Sequence, residues 1–389
     1  AYAVQSRLKL FSNFTYFLDN PADGDQFQQS ENRRMYGLNA AQTWIDKVGG
    51  ITMQNKIGFQ TRYDRLSPVG LYDTIAQERT ATVREDKVKE ASMGVYAENS
   101  AQWLDKFRTV AALRYDAYRF NVDSDIAGNS GKARDHTVSP KLSLIFGPWA
   151  RTEYFVNYGK GFHSNDARGT TQTQLPGGGA STPVTPLVAT RGAEVGIRSE
   201  IIPNLQSSLA LWRLDIDSEL LFVGDAGETE PSRASRRTGI EWNNHYIARP
   251  WLLFDLDLAL SRARYRDADP AGDYIPGSID RVVSFGATVT DLGRWYGAFQ
   301  FRYFGPRPLV EDNSVRSKAT AIAYARVGYK VNPKTRLTLD VFNLFDRKAS
   351  DIDYYYTSRL NGEIAGGVND IHSHPVEPRS VRLTLTHNF

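Results

Sequence analysis

Apolar and polar residues alternate with a period of two, over and over along this 389-residue chain, and that feature limits its fold more than any other. It is plain in Pro378–Phe389 (PRSVRLTLTHNF). Val381, Leu383, Leu385 and Phe389 fall on one face there, and Ser380, Arg382, Thr384, Thr386 and Asn388 on the other, the pattern of a strand with one apolar and one wet face. In Trp251–Ser261, Leu252, Phe254, Leu256, Leu258 and Leu260 oppose Leu253, Asp255, Asp257, Ala259 and Ser261. Val283, Phe285, Ala287 and Val289 oppose Ser284, Gly286 and Thr288, while Trp295, Phe299, Phe301 and Tyr303 oppose Tyr296, Ala298, Gln300 and Arg302. Val195, Ile197 and Ile201 oppose Glu194, Arg198 and Glu200. A packed sandwich core would not accept such full charges unpaired; a wet barrel lumen would.

The same reading places strands near 4–18, 33–45, 54–72, 86–100, 106–121, 139–147, 152–163, 191–201, 206–223, 238–247, 251–264, 281–290, 294–304, 319–331, 335–347 and 379–389. That makes about sixteen strands and no sustained helical periodicity. Connections alternate in length. Short ones fall at 46–50, 146–150, 202–205, 248–250, 291–293 and 332–334, and long ones near 19–32, 73–85, 122–138, 164–190, 224–237, 265–280, 305–318 and 348–378. Short turns at one end and long loops at the other are the mark of an outer-membrane β-barrel, with periplasmic turns and extracellular loops. The expected fold is therefore all-β: a transmembrane antiparallel up-and-down barrel.

Composition agrees. No run of about 18 apolar residues exists, so no membrane helix is expected, but a barrel strand needs only about 9–11 residues. Twenty Tyr against three Met suit sheets and interfacial aromatic belts. Lys plus Arg is 47 and Asp plus Glu 44, a balance that gives no reason to expect nucleic acid. Without Cys there is no disulfide or thiolate chemistry. The opening AYAVQSRLKL has no signal-peptide pattern, so either a signal was removed or the chain is a fragment.

Several stretches carry a resemblance: SPKLSLIF (139–146) followed by TEYFVNYGKGFHSNDARG (152–169), RGAEVGIRSE (191–200), LALWRLDIDSEL (209–220), RRTGIEW (236–242), DVFNLFDRK (340–348) and EPRSVRLTLTHNF (377–389). Together they resemble the C-terminal part of the barrel of TonB-dependent outer-membrane receptors. The resemblance implies a 22-stranded barrel of a multi-pass protein in the outer membrane of a Gram-negative bacterium. Residues 1–389 would be an N-terminally truncated barrel domain, with no plug and no signal peptide. It further implies active import of a scarce ligand, by default a ferric siderophore or other metal chelate. The implied partners are the TonB-ExbB-ExbD complex, engaged through the missing plug, and outer-membrane lipid and lipopolysaccharide around a monomer. The alternative is a complete sixteen-stranded barrel acting as a passive porin-type channel.

An importer needs polar and aromatic groups converging at its mouth. Gly161–Gly169 presents His163, Asn165, Asp166 and Arg168 where a strand enters a long loop. Arg168 and His163 could meet an anionic chelate, or the four could form a hydrogen-bonded loop stem. Tyr354, Tyr355 and Tyr356 suit ligand stacking or an interfacial belt. His372 and His374, two residues apart, share one side of an extended segment, as do Asp351 and Asp353; two imidazoles without a third ligand make a weak metal site, so no bound metal or cofactor is assigned. Arg233, Arg236 and Arg237 could attract anions or simply be solvated. Asp255, Asp257, Arg302, Arg326 and Asp340 are expected to line the lumen. No GxSxG, HExxH or phosphate-cradling loop is present, and His163, Ser164 and Asn165, adjacent on a strand, point apart, so no enzyme is expected.

Overall fold

A computed structural model of the chain describes residues 1–223, 228–231 and 233–389. Its strands are β1 (Tyr2–Ser12), β2 (Phe27–Val48), β3 (Ile51–Ile75), β4 (Glu78–Leu104), β5 (Phe107–Ser124), β6 (Gly131–Trp149), β7 (Thr152–Ser164), β8 (Leu187–Ser199), β9 (Leu205–Ile216), β10 (Leu220–Val223) and β11 (Glu228–Pro231). There follow β12 (Ser235–Arg249), β13 (Leu252–Tyr265), β14 (Arg281–Leu292), β15 (Trp295–Phe304), β16 (Thr320–Asn332), β17 (Thr335–Phe342), β18 (Ser350–Ser358), β19 (Val368–Pro375) and β20 (Ser380–His387). Sixteen of them form one antiparallel meander, β1 to β9, β12 to β17 and then β20, each beside its neighbour in sequence. β10–β11 and β18–β19 are separate hairpins inside two of the long connections. No helix among the described residues is long and apolar enough to cross a membrane, which says nothing of strands.

Alternation sorts the two faces. Val156, Val195, Leu211, Ile240 and Leu260 oppose one another in turn across β7, β8, β9, β12 and β13, and all are exposed. Leu256, Phe285 and Phe301, each half-buried, continue the row across β13, β14 and β15. A continuous exposed apolar band is the surface a bilayer covers. Near the short turns sit Trp103, a stacked Phe107–Phe146 pair at 5.0 Å, Trp149 against Tyr154, and Trp295 against Tyr329 at 4.8 Å, the place of an interfacial aromatic girdle. The other face carries polar cross-strand pairs: His245 Nδ1 lies 2.6 Å from Asp255, and Arg326 Nε 2.6 Å from Asp340.

Short turns close one end, two residues long except for 200–204 between β8 and β9, as at Gly49–Gly50, where both residues have positive φ, the geometry that continues the strand twist. At the other end the expected loops differ in three places: the first long connection is 13–26 rather than 19–32, since β1 ends at Ser12 and β2 begins at Phe27, and two more are mostly strand. Residues 73–85 are almost wholly strand, because β3 and β4 run on to a turn at Ala76–Gln77. Of 122–138 only 125–130 is loop. Polar side chains hold the protruding ladder: Tyr72 Oη donates to Glu85 at 2.6 Å and the Arg79 guanidinium lies 3.6 Å from the Tyr72 ring centroid. Beyond the bilayer no apolar face is required, so these strands read as loop in the sequence.

β1 and β20 each pair on one side only. Their loop ends nevertheless meet. Phe17 N donates to Arg359 O and Arg359 N to Thr15 O, both at 3.0 Å, so the sheet wraps until its first and last long connections touch.

Candidate functional site

The loop 165–186 leaves β7 and folds back against the inner wall. Asn165, 4% exposed, closes its neck: its Nδ2 donates to Thr185 O at 2.7 Å and its backbone N to Pro186 O at 2.9 Å. Ala167 drops into an apolar cluster of Leu66, Val69, Val88, Phe120 and Val122. Further along, the fully buried Asn129 side chain accepts from the backbone N of Thr173 and of Gln174, both at 2.9 Å, and donates to Gln174 O. Of the residues expected to bind ligand, Asp166 and Arg168 pair with each other. Arg168 Nε and Nη2 donate to the two carboxylate oxygens at 3.0 and 2.7 Å. Burial alone would raise the Asp166 pKa, but the Arg168 charge and hydrogen bonds, with Arg84 nearby, hold it down at about 2. Arg84, 4% exposed, bridges Asp86 at 2.6 Å and Gln172 at 2.5 Å. These groups border a cavity of about 210 Å³ between loop and wall. His163 lies near the end of β7, opposite Val188, with its Nε2 buried and unpartnered.

The β18–β19 hairpin places the second set. Register opposes Tyr354 to His372 and Ile352 to His374, so both imidazoles share a face with Tyr354 and Tyr356 while Tyr355 takes the other. His372 stacks on Tyr356 with centroids 3.9 Å apart and rings 7° from parallel, and Tyr16 closes on it at 5.9 Å. Burial pushes the His372 pKa below its ordinary value. His374 Nδ1 sits 2.9 Å from Asp351, and Ser373 bonds Asp353. Among the described residues no three metal-ligating side chains converge. The Tyr354 pKa is raised by burial, against the opposing pull of Arg307.

The third set is engaged. Arg233 bonds Asp267 and Glu311, each at 2.8 Å, and lies over the Tyr265 ring; Arg236 meets Asp215 at 2.7 Å and Arg237 meets Glu219 at 2.9 Å. Residues 224–227 and 232 of that loop lie outside the described residues.

Beneath β18–β19 lies a cavity of about 670 Å³, lined by Arg302, Arg307 and Arg382 with Phe304, Tyr324, Phe342, Asp351 and His374 among others. Arg302 was legible as an inward residue from strand alternation. Nothing in the linear sequence marks Arg307 or Arg382 as its neighbours.

Sixteen meandering strands with short turns at one end, long loops at the other, an apolar outer band and a charged inner face match known proteins. The ferric-catecholate import receptor Fiu from E. coli K12 superposes with a TM-score of 0.71 at 14% identity, over 99% of this chain and 60% of its own. The ferric yersiniabactin uptake receptor FyuA from Yersinia pestis gives 0.70 at 16% identity, over 94% and 55%. The pyoverdine receptor FpvA from Pseudomonas aeruginosa gives 0.72 at 13%, over 100% and 61%. At such identities the likeness is one of fold, and the chain spans little more than half the length of these receptors. The family model described as TonB dependent receptor-like, beta-barrel matches residues 2–344, and the chain belongs to that family, whose members are outer-membrane receptors that work with TonB rather than enzymes.

Proposed function

We propose that residues 1–389 form the larger part of the barrel domain of an active importer in a Gram-negative outer membrane, one that captures an anionic metal chelate such as a ferric siderophore. The observation that carries this reading is the guanidinium-rich cavity at the loop-bearing end of a barrel of this family. Arginine is the side chain best matched to the oxygens of such a ligand. The stem residues His163, Asn165, Asp166 and Arg168 and the hairpin residues Tyr354, Tyr355, His372 and His374 are proposed as ligand contacts at the mouth. In support, Asp166 and Arg168 border one cavity and His374 the other. The one-sided edges of β1 and β20 would be costly in a bilayer. We therefore propose that further strands of the same protein pair with them, about six if the barrel has 22, around a plug that contacts TonB-ExbB-ExbD. Lipopolysaccharide would surround the monomer's outer rim. A closed sixteen-stranded porin draws no support from a sheet whose two edge strands do not pair with each other.

The experiment is uptake of radiolabelled ferric chelates by cells expressing the receptor from its own gene, with and without TonB. Accumulation that requires TonB is expected. Passage of small solutes at equal rates without TonB would favour the diffusion channel.

A further inference from the structure

Several charges on the inner face are neutralised across or along strands. Arg62 pairs with Asp64, Arg84 with Asp86, Arg114 with Asp116 and Arg326 with Asp340, each at 2.6 Å. The cavity beneath β18–β19 departs from this. Arg302 on β15 and Arg382 on β20 make no ion pair or side-chain hydrogen bond among the described residues. Arg382 instead has its guanidinium 5.1 Å from the Phe342 ring centroid. Arg307, only 7% exposed, is fixed by its Nη2 donating to Asp351 O at 2.6 Å and its backbone N donating to Ser317 Oγ at 2.9 Å. Its Nε is buried and has no partner. The carboxylates on the lining are Asp351, already held by His374 at 2.9 Å, and Glu377. Three guanidiniums thus face two carboxylates, one of them engaged.

A buried guanidinium donor left unmatched is costly unless an anion supplies the acceptor. The walls specify more than charge. Tyr324 and Phe342 meet edge to face with centroids 6.2 Å apart, and Phe304 and Ile322 complete an apolar side. Such walls take the face of a planar ring while guanidiniums take oxygens at its edge. About 670 Å³ holds a ring with its substituents and leaves room for the rest of a larger chelate. We propose that this cavity recognises a planar aromatic ring bearing anionic oxygens, an aryl carboxylate, through Arg302, Arg307 and Arg382. This rests on the reading of the protein as a chelate receptor and assigns the part of the chelate that is read here.

The test uses 2-hydroxybenzoate as probe, with cyclohexanecarboxylate (an anion without an aromatic ring) and phenol (a ring without the carboxylate). Binding is titrated by ligand-observed NMR to the receptor expressed from its own gene and purified in detergent. Saturable binding of 2-hydroxybenzoate is expected, with both comparison compounds much weaker. Arg302→Gln and Arg382→Gln should each weaken it about tenfold or more, while Arg233→Gln, in a different loop, leaves it unchanged. Both lumenal arginines are exposed and unpaired, so their loss should spare folding, and unchanged heat-modifiable gel mobility checks this. Equal binding of cyclohexanecarboxylate overturns the aromatic assignment. Absence of saturable binding, or binding unaltered in the double variant, overturns the site. Ferric-chelate uptake that persists unchanged in the double variant removes this cavity but leaves the importer reading standing. Intact 2-hydroxybenzoate binding in a receptor that takes up no chelate does the reverse.

Discussion

Tyr296 on β15 lies across Gly328 on β16, its direct partner, and its hydroxyl reaches Thr338 on β17 at 2.6 Å; Thr338 is in turn the register partner of Gly328. One side chain thus braces three strands, and it can do so only because Gly328 has no Cβ: a methyl there would overlap the ring. Gly328→Ala should therefore displace the ring and break the hydroxyl bond, which contributes about 1 kcal/mol. Overpacking adds about 1–3 kcal/mol. Against this, replacing Gly by Ala restricts the unfolded chain and returns about 0.4–1 kcal/mol. The net cost should be about 1–3 kcal/mol. In a Tyr296→Ala background nothing occupies the space, so the same change should be neutral or stabilise by up to about 1 kcal/mol. The sign of the effect reverses, and the coupling between the two sites should be about 2 kcal/mol. Urea unfolding of the receptor in lipid vesicles, followed by gel mobility, measures all four corners of the cycle. An equal cost in both backgrounds would refute the brace and reduce Gly328 to an ordinary strand glycine. The opposition is not unique: Tyr2 faces Gly37, Tyr96 faces Gly58, Phe155 faces Gly196 and Trp212 faces Gly239, each with the ring over the missing Cβ.

Leu256, in the outer row beside Phe285, should tolerate Arg poorly: Leu256→Arg is expected to cost about 2–4 kcal/mol of folding into bilayers, and Asp257→Arg on the inner face clearly less, by the same unfolding assay. Cysteines introduced at Thr173 and Asn369, on the long-connection side, should label with an impermeant reagent on intact cells, whereas one at Asn332, beside a short turn, should not; the opposite pattern inverts the topology. Docking of the β18–β19 hairpin should weaken as pH falls below about 6.5. The His372 pKa is lowered in the folded protein, so the opened hairpin binds the proton first and stability drops as pH passes down from 6.5 toward the folded value. Amide exchange of residues 368–375 at pH 7.5 and 5.5, corrected for intrinsic rates, should show this opening, and His372→Phe should reduce its pH dependence.

The sheet was legible because each spanning segment must show lipid an apolar residue at every second position, and that demand is written locally. Each of the sixteen sheet strands overlaps a segment that alternation marks, although β1, β9 and β17 stop at Ser12, Ile216 and Phe342, short of the expected 18, 223 and 347. The demand ends at the membrane surface. β3 and β4 continue above it with Glu78, Arg79, Arg84, Glu85 and Asp86, held by side chains such as Tyr72 and Arg79 that touch across the ladder. No local pattern separates that from a polar loop.

The functional residues divide along the same line. The stem around Arg168 stands out in the sequence because its polar groups are contiguous, and contiguity is also why they satisfy one another: Arg168 reaches Asp166 two residues away. A charge kept available for a ligand must avoid such partners, and register decides that rather than local sequence. Arg326 falls opposite Asp340 and is neutralised. Arg302, two pleats along the same face, falls between Ser284 and Ile322 and is not. Arg382 also opposes Asp340, but that carboxylate is already taken by Arg326, so the third guanidinium turns to the Phe342 ring instead. Alternation tells which arginines face inward; only the pairing of four strands, β14 to β17, with β20 tells which of them remain unsatisfied, and those are the ones with charge left to offer an incoming anion.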